Sequence, residues 1–185
     1  MKLLFASDLH GSATYTRKLV DAYAAEGAER LVLLGDLLYH GPRNDLPDGY
    51  QPKAVIALLN ELAPQIIAVR GNCEAEVDQW VLDFPVHADY STMFLPELGG
   101  RMIFLTHGHR YHADALPPLQ RGDLLIHGHT HVPAAEDRGD VIVLNPGSTS
   151  LPKGGSGHGY MVYEDRVFTL KTFDGDVVGR LEVPC

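Results

Sequence analysis

Seven residues of this chain have the chemistry to hold metal ions together: Asp8, His10, Asp36, Asn72, His107, His129 and His131. They offer two carboxylates, one amide and four imidazoles. Mixed oxygen and nitrogen ligation fits Mn, Fe, Zn, Co or Ni, while so many imidazoles argue against calcium. Two divalent ions would bring +4 and the two Asp remove two, leaving about +2. That surplus suits an anionic phosphate better than a neutral peptide. Ions roughly 3.5–4 Å apart could activate water and hold two phosphoryl oxygens at once.

Each of these residues alone is weak, because a stray polar side chain in a surface loop is common. Their positions add weight. Asp8-x-His10 and His129-x-His131 each place two ligands two apart, and in extended chain such residues point to the same side. Each pair could then grip one ion. Asp36 follows Gly35 at the end of an apolar run, where a lone buried carboxylate costs several kcal/mol unless paired or metal-bound. Its two oxygens could bridge two cations.

The elements that must position these groups are legible from hydropathy. Residues 2–7 form a short apolar run that predicts a buried strand. Helical spacing of Leu19, Val20, Tyr23 and Ala24 predicts a helix over 14–26, stopped by Gly27. Strands are expected at 30–35 and 65–70, with a helix at 53–62 between them. This alternation predicts parallel crossovers and an α/β layered domain. Beyond residue 85 the pattern changes. Runs at 92–95 and 101–106 flank Gly99-Gly100 and predict a hairpin. Further short strands at 123–127, 140–144, 160–163, 167–173 and 177–183 predict a second, mixed sheet packed on the first. Strand after strand ends in a polar residue: Asp8, Asp36, Asn72, His107 and His129. In an α/β sheet the carboxyl ends line one edge, where ligand sites form.

The bulk numbers exclude several classes. A length of 185 residues fits one domain over 1–185. With 45% hydrophobic and 21% charged residues it is neither a disordered tail nor a fibrous repeat. The net charge of −9 disfavours a broad nucleic-acid surface, so no stable nucleic-acid binding is expected. No run approaches a membrane-spanning length and no signal peptide is expected at the start. Two cysteines, Cys73 and Cys185, give no disulfide framework, and a cytoplasmic location is the default expectation.

The motifs now align with a known family. Asp8-Leu9-His10, Gly35-Asp36, Gly71-Asn72-Cys73-Glu74, His107-Gly108-His109 and Gly128-His129-Thr130-His131 resemble, in order, the signature of calcineurin-like metallophosphoesterases. Within that superfamily the chain looks most like the small bacterial YfcE-type phosphodiesterases. The resemblance implies an α/β (α+β) fold, a four-layer αββα sandwich of two mixed β-sheets flanked by helices. It implies two divalent ions, with Mn²⁺ the first expectation. Asp8, His10 and His131 would hold one, Asn72, His107 and His129 the other, and Asp36 would bridge. A metal-activated hydroxide would then attack phosphorus in a small phosphate diester. Asp36, Asn72, Cys73 and His107 form the expected catalytic set, and Asn72, Cys73 and His109 the expected substrate contacts. Alternatives are a phosphomonoesterase or nuclease using the same metals, and a retromer-type scaffold that keeps the fold without hydrolysis. Intact ligands disfavour the scaffold. A homodimer or higher homo-oligomer fits small enzymes of this type.

One position departs from the family pattern. Cys73 stands where most relatives carry the His of a Gly-Asn-His motif. A thiol of ordinary pKa is a weaker proton donor than imidazolium. Cys73 is therefore either a substrate contact or simply a small buried thiol.

Overall fold

Alternation along the first strand shows how the layers are made. In the computed structural model, which describes residues 1–184, β1 spans Leu3–Ala6 and every residue in it is buried. Leu3 and Phe5 face one way, Leu4 and Ala6 the other, so the strand feeds two separate cores. Cys185 lies outside the described residues.

The helical face forms first in the chain. Helix α1 (Ala13–Glu26) is capped by Ser12, whose hydroxyl accepts the Tyr15 N–H at 3.2 Å, and stops at Gly27 in the left-handed region. Strand β2 (Arg30–Leu33) pairs parallel with β1, and after helix α2 (Pro52–Asn60) strand β3 (Ile66–Ala68) pairs parallel with β2. Leu19, Val55 and Leu59 from the helices cover Leu4, Leu31 and Leu33 of the sheet. Each such leucine, fully buried, contributes about 1.5–3 kcal/mol.

The second sheet is built from β4 (Tyr90–Phe94), β5 (Met102–Thr106), β6 (Leu124–Ile126), β7 (Ala134–Asp137) and β8 (Ile142–Asn145), in the order β4-β5-β6-β8-β7. The expected hairpin is the antiparallel β4–β5 pair. Strands β5, β6 and β8 run parallel to one another. Its inner face (Ile103, Leu105, Leu124, Ile126, Ile142 and Leu144) packs against Leu3, Phe5 and Val32, making the core between the sheets.

Three details differ from expectation. The final strands β9 (Gly159–Glu164), β10 (Val167–Thr172) and β11 (Val177–Glu182) do not belong to the second sheet. They return to the first, whose order is β11-β10-β9-β1-β2-β3, with β9 antiparallel to β1. The parallel start of the chain leaves one edge of β1 open, and β9 fills it. Edge strand β7 was not anticipated, because its Ala-Ala-Glu-Asp carries no apolar alternation. The two mixed sheets stand as expected, but only the first is flanked by α-helices among the described residues. Outside the second sheet, Phe104, Leu125 and Val143 are covered by Tyr111, Ala113 and Leu119 from irregular chain.

The consequence for function is geometric. The carboxyl ends of β1, β2 and β3 in one sheet and of β5 and β6 in the other open onto the same edge of the sandwich. No helix among the described residues is long and apolar enough to cross a membrane.

Candidate metal centre

All seven expected ligands meet at that edge. Asp8 Oδ1 lies 3.2 Å from His131 Nε2, 3.6 Å from His10 Nε2 and 4.0 Å from His107 Nε2. Asp36 Oδ2 lies 3.4 Å from His107 Nε2 and 3.8 Å from His10 Nε2. His107 Nε2 is 3.0 Å from Asn72 Oδ1 and 3.2 Å from His129 Nδ1. Two subsets are tight enough to share one ion: Asp8, His10 and His131, and Asp8, Asp36 and His107. A third, His10, Asp36 and Cys73, brings the thiol into ligand range.

The backbone at these positions is unusual. Asp8, His10, Asp36, His129 and His131 all have positive φ, between 46° and 67°. Among the described residues only two other non-glycine residues share that property, Asp165 and Arg166 in the β9–β10 turn. Left-handed conformation is costly for residues bearing a Cβ, and its concentration here marks a site whose geometry the surrounding structure enforces. It also corrects the expectation of extended pairs. With both residues left-handed, their side chains diverge: His129 turns to His107, and His131 to Asp8 and His10. Gly128 lacks a side chain for a related reason, since a Cβ there would collide with Ser7 Oγ and crowd Asp8 Oδ2.

Asp36 differs in detail as well. Its Oδ1 accepts the Cys73 N–H at 2.8 Å, which leaves Oδ2 as the oxygen facing His10 and His107. Any bridge through Asp36 therefore runs through one oxygen rather than both.

Does this donor set fit cations? His10 Nδ1 donates to the Tyr39 carbonyl at 2.8 Å, His107 Nδ1 to the Leu34 carbonyl at 2.7 Å, and His131 Nδ1 to the Leu151 carbonyl. A carbonyl only accepts, so those bonds keep Nδ1 protonated and turn each Nε2 into the centre, where its lone pair serves a cation once any proton there has left. His10 Nε2 and His131 Nε2 then face each other at 3.2 Å. Asp8 Oδ1 is buried and has no hydrogen-bond partner. Converging lone pairs and an orphaned carboxylate oxygen ask for positive charge, and the residues fit divalent ions.

The electrostatics agree. Burial pushes the Asp8 carboxyl up, but the His10 and His131 imidazoles outweigh it and hold the group well below the carboxylate range. Burial lowers His107, yet Asp36 and Asp8 raise it to about 9. Burial and the neighbouring His107 charge push His129 down to about 4.

Several supporting residues carried no clear signal. Glu74 is buried and accepts the N–H groups of Asp36 at 2.9 Å, Leu37 at 2.6 Å and Gly71. It cradles the turn that presents Asp36, and burial with the Asp36 charge raises it to about 7. The Ser148 and Ser150 hydroxyls both donate to the Asp8 carbonyl, at 2.9 and 3.0 Å. The acidic residue closing the Gly-Asn-Cys-Glu motif was the available hint for Glu74; the serines follow Asn145-Pro146-Gly147, which reads simply as a turn.

The expected substrate contacts divide. Asn72 and Cys73 line a cleft of about 530 Å³ with Asp36, His129 and His131. His109 does not line it. Its ring lies 5.5 Å from that of His107 and it faces a neighbouring cleft shared with His112, His127 and His129. Burial and the Asp36 carboxylate push the Cys73 thiol well above its ordinary pKa.

Known proteins resemble this chain. Phosphodiesterase YfcE of Escherichia coli is 48% identical over 184 residues, covering 99% of this chain and 98% of the relative. The solved structure of E. coli YfcE, described as a phosphoesterase, superposes over 100% of both chains with a TM-score of 0.96 at 45% identity. Zinc-complexed Vps29 of Entamoeba histolytica shares the fold alone, at 20% identity and a TM-score of 0.64 over 100% of both chains. Residues 1–166 match the calcineurin-like phosphoesterase superfamily domain. Motif order, sandwich and converging ligands thus coincide over nearly the whole chain, which belongs to the calcineurin-like phosphoesterase superfamily.

Proposed function

We propose that this protein is a metal-dependent phosphodiesterase acting on small phosphate diesters, with the whole chain working as one catalytic domain in the cytoplasm. The observation that carries it is the set of imidazole lone pairs locked inward by backbone carbonyls around Asp8 and Asp36. Asp8, His10 and His131 would hold one divalent ion and Asn72, His107 and His129 a second, with Asp36 Oδ2 facing both ligand sets. Bound there, the ions supply Lewis acidity that makes water a nucleophile at neutral pH and offsets charge on the phosphoryl oxygens. Mn²⁺ is the first choice, with Zn, Fe, Co and Ni compatible with the same donors.

The chain's own groups do the rest. Asn72 presents a neutral carbonyl oxygen at the cleft wall, so it adds a ligand without adding negative charge against the substrate anion. Cys73 donates its backbone N–H to Asp36, holding the carboxylate in one orientation. Its side chain is neutral near pH 7 because burial and Asp36 disfavour the thiolate. The thiol is thus a small, weakly donating wall of the cleft rather than a strong acid. With no imidazolium at that position, departure of a poor alkoxide is little assisted, which favours diesters with good leaving groups.

The test is hydrolysis of bis(p-nitrophenyl) phosphate against p-nitrophenyl phosphate, before and after chelation and with Mn²⁺ restored. Chelation is expected to abolish diesterase activity and Mn²⁺ to restore it. Asp36→Asn, which removes the charge facing both ligand sets, is expected to cost about 10³-fold or more. Near-normal rates in Asp36→Asn, or hydrolysis indifferent to chelator, would refute the proposal.

A further inference from the structure

The cleft beside the metal centre contains two cations that ligand geometry leaves unused. Arg43 and Lys153 line the same 530 Å³ space as Asn72, Cys73 and His131. They arrive on different loops, and each loop lies against the centre. Asn44 donates its side-chain amide to the His40 carbonyl at 2.8 Å, closing the turn that carries Arg43. Gly41 in that turn lies so close to Cys73 that an added Cβ would meet Sγ at 3.1 Å. Lys153 donates its backbone N–H to the carbonyl of His131 at 3.0 Å. The Lys153 loop is thereby tied to the His131 backbone, and the Arg43 turn runs beside Cys73.

Five cations elsewhere among the described residues are matched to carboxylates. Lys2 and Lys171 meet Glu26, Arg110 meets Asp89, Arg121 meets Asp140, and Arg138 meets Glu136. Arg43 and Lys153 are exposed and enter no ion pair among the described residues. In a chain of net charge −9, an arginine and a lysine without carboxylate partners both line the reaction cleft.

A phosphodiester carries a single negative charge at its scissile group, and two divalent ions held by Asp8 and Asp36 already exceed it. A further arginine and lysine are surplus to that anion. They match a second, doubly charged phosphate, for which the arginine fork offers paired hydrogen bonds and the lysine a point charge. We infer that the cleft selects phosphodiesters bearing a second phosphate group, with Arg43 and Lys153 gripping the distal phosphate while the metal centre takes the scissile one. This rests on the phosphodiesterase function proposed above.

The test compares the p-nitrophenyl ester of thymidine 5′-phosphate with and without a 3′-phosphate. Both break the same P–O bond: water supplies the new oxygen on phosphorus and p-nitrophenolate leaves with the electron pair. The wild-type protein is expected to favour the 3′-phosphorylated ester by about tenfold in kcat/KM, expressed mainly in KM. Arg43→Ala and Lys153→Ala should each pull that ratio towards one, and Arg43→Lys should retain part of it. Binding of thymidine 3′,5′-bisphosphate over thymidine 5′-phosphate gives a readout without turnover, expected to show the same preference and to weaken with salt. Both residues are exposed, so unchanged thermal melts will certify folding of the variants. A ratio near one in the wild type overturns the inference. So does an unchanged ratio in both alanine variants, because the cations then serve the scissile phosphate or nothing. If the wild type binds the bisphosphate through Arg43 and Lys153 yet hydrolyses neither ester with Mn²⁺, the distal subsite stands and the phosphodiesterase proposal falls.

Discussion

The two halves of the metal centre are built to different standards of closure. Asp8, His10 and His131 are 0%, 1% and 3% exposed, and the two imidazoles are each anchored to a backbone carbonyl. The Asp8 backbone is clamped by two serine hydroxyls, and its Oδ2 accepts the His129 N–H at 3.0 Å. On the other side only His107 is sealed in. Asn72 is exposed, His129 is partly exposed, and both border the cleft. Fixed ligands with satisfied outer partners bind an ion tightly, whereas open ligands leave room for a substrate oxygen. On the proposed assignment the difference implies a division of labour, in which the closed half would retain its metal and the open half would receive the ester.

Removing one ligand from each half is the hardest blow to that comparison. His131→Ala is expected to cost more in metal affinity than the ~10–100-fold that losing an outer partner costs, with activity falling in parallel. Asn72→Ala should cost about 10–100-fold in kcat/KM while one ion per chain survives desalting. Metal analysis of the desalted variants decides the point. If Asn72→Ala strips more metal than His131→Ala, the closed and open halves have been assigned the wrong way round.

The same contrast separates what the sequence reveals from what it hides. Apolar runs ending in Asp8, Asp36, Asn72, His107 and His129 are visible as a pattern, because a buried strand has little other reason to stop on such residues. The left-handed backbone at five ligands is not visible, since Asp and His replace the glycines that ordinarily announce it. That is why spacing alone reads His129 and His131 as one pair, and only the family resemblance sets them on different sides. Glu74 binds only backbone N–H groups, an interaction with no fixed spacing in sequence. Likewise, the strand runs of β9, β10 and β11 announce themselves, but not which sheet they join; that depends on the free edge of β1, a fact about the assembled sandwich.

Protons offer a gentler probe of how metal uptake is coupled to the centre. In the metal-free protein His107 is raised to about 9 from an ordinary value near 6.5, so it carries a proton at pH 7. An ion must displace that proton to use Nε2. Apparent affinity for the ion that His107 binds should therefore climb between pH 7 and pH 9, by about tenfold per pH unit, and level off above. His129, pushed down to about 4, releases nothing over this range. Calorimetric titration with Mn²⁺ in buffers of different ionisation enthalpy will count the protons. Release of none at pH 7 would mean that His107 is already neutral and that Asp8 and Asp36 lack the hold on it described above.

The smallest effect is expected at the cleft wall. Cys73→His restores the imidazole that most members of the superfamily carry, beside the open half of the centre. The thiol it replaces is neutral, because burial and the Asp36 charge both oppose ionisation, so no nucleophile or base is lost. What is gained is a donor that can protonate a departing alkoxide. General-acid assistance in an optimised site is worth about 10²–10⁴-fold. Here Gly41 leaves Cys73 little room, since even a Cβ at Gly41 would sit 3.1 Å from Sγ, and a larger ring is expected to shift that turn. The monoester-to-diester rate ratio is therefore expected to rise by no more than about tenfold, below that optimum. The gain should be larger for alkyl than for p-nitrophenyl leaving groups, since only the former need the proton. A ratio that stays put with both classes would leave Cys73 as packing alone, and the open half would then owe its selectivity to Asn72 and the cations around it.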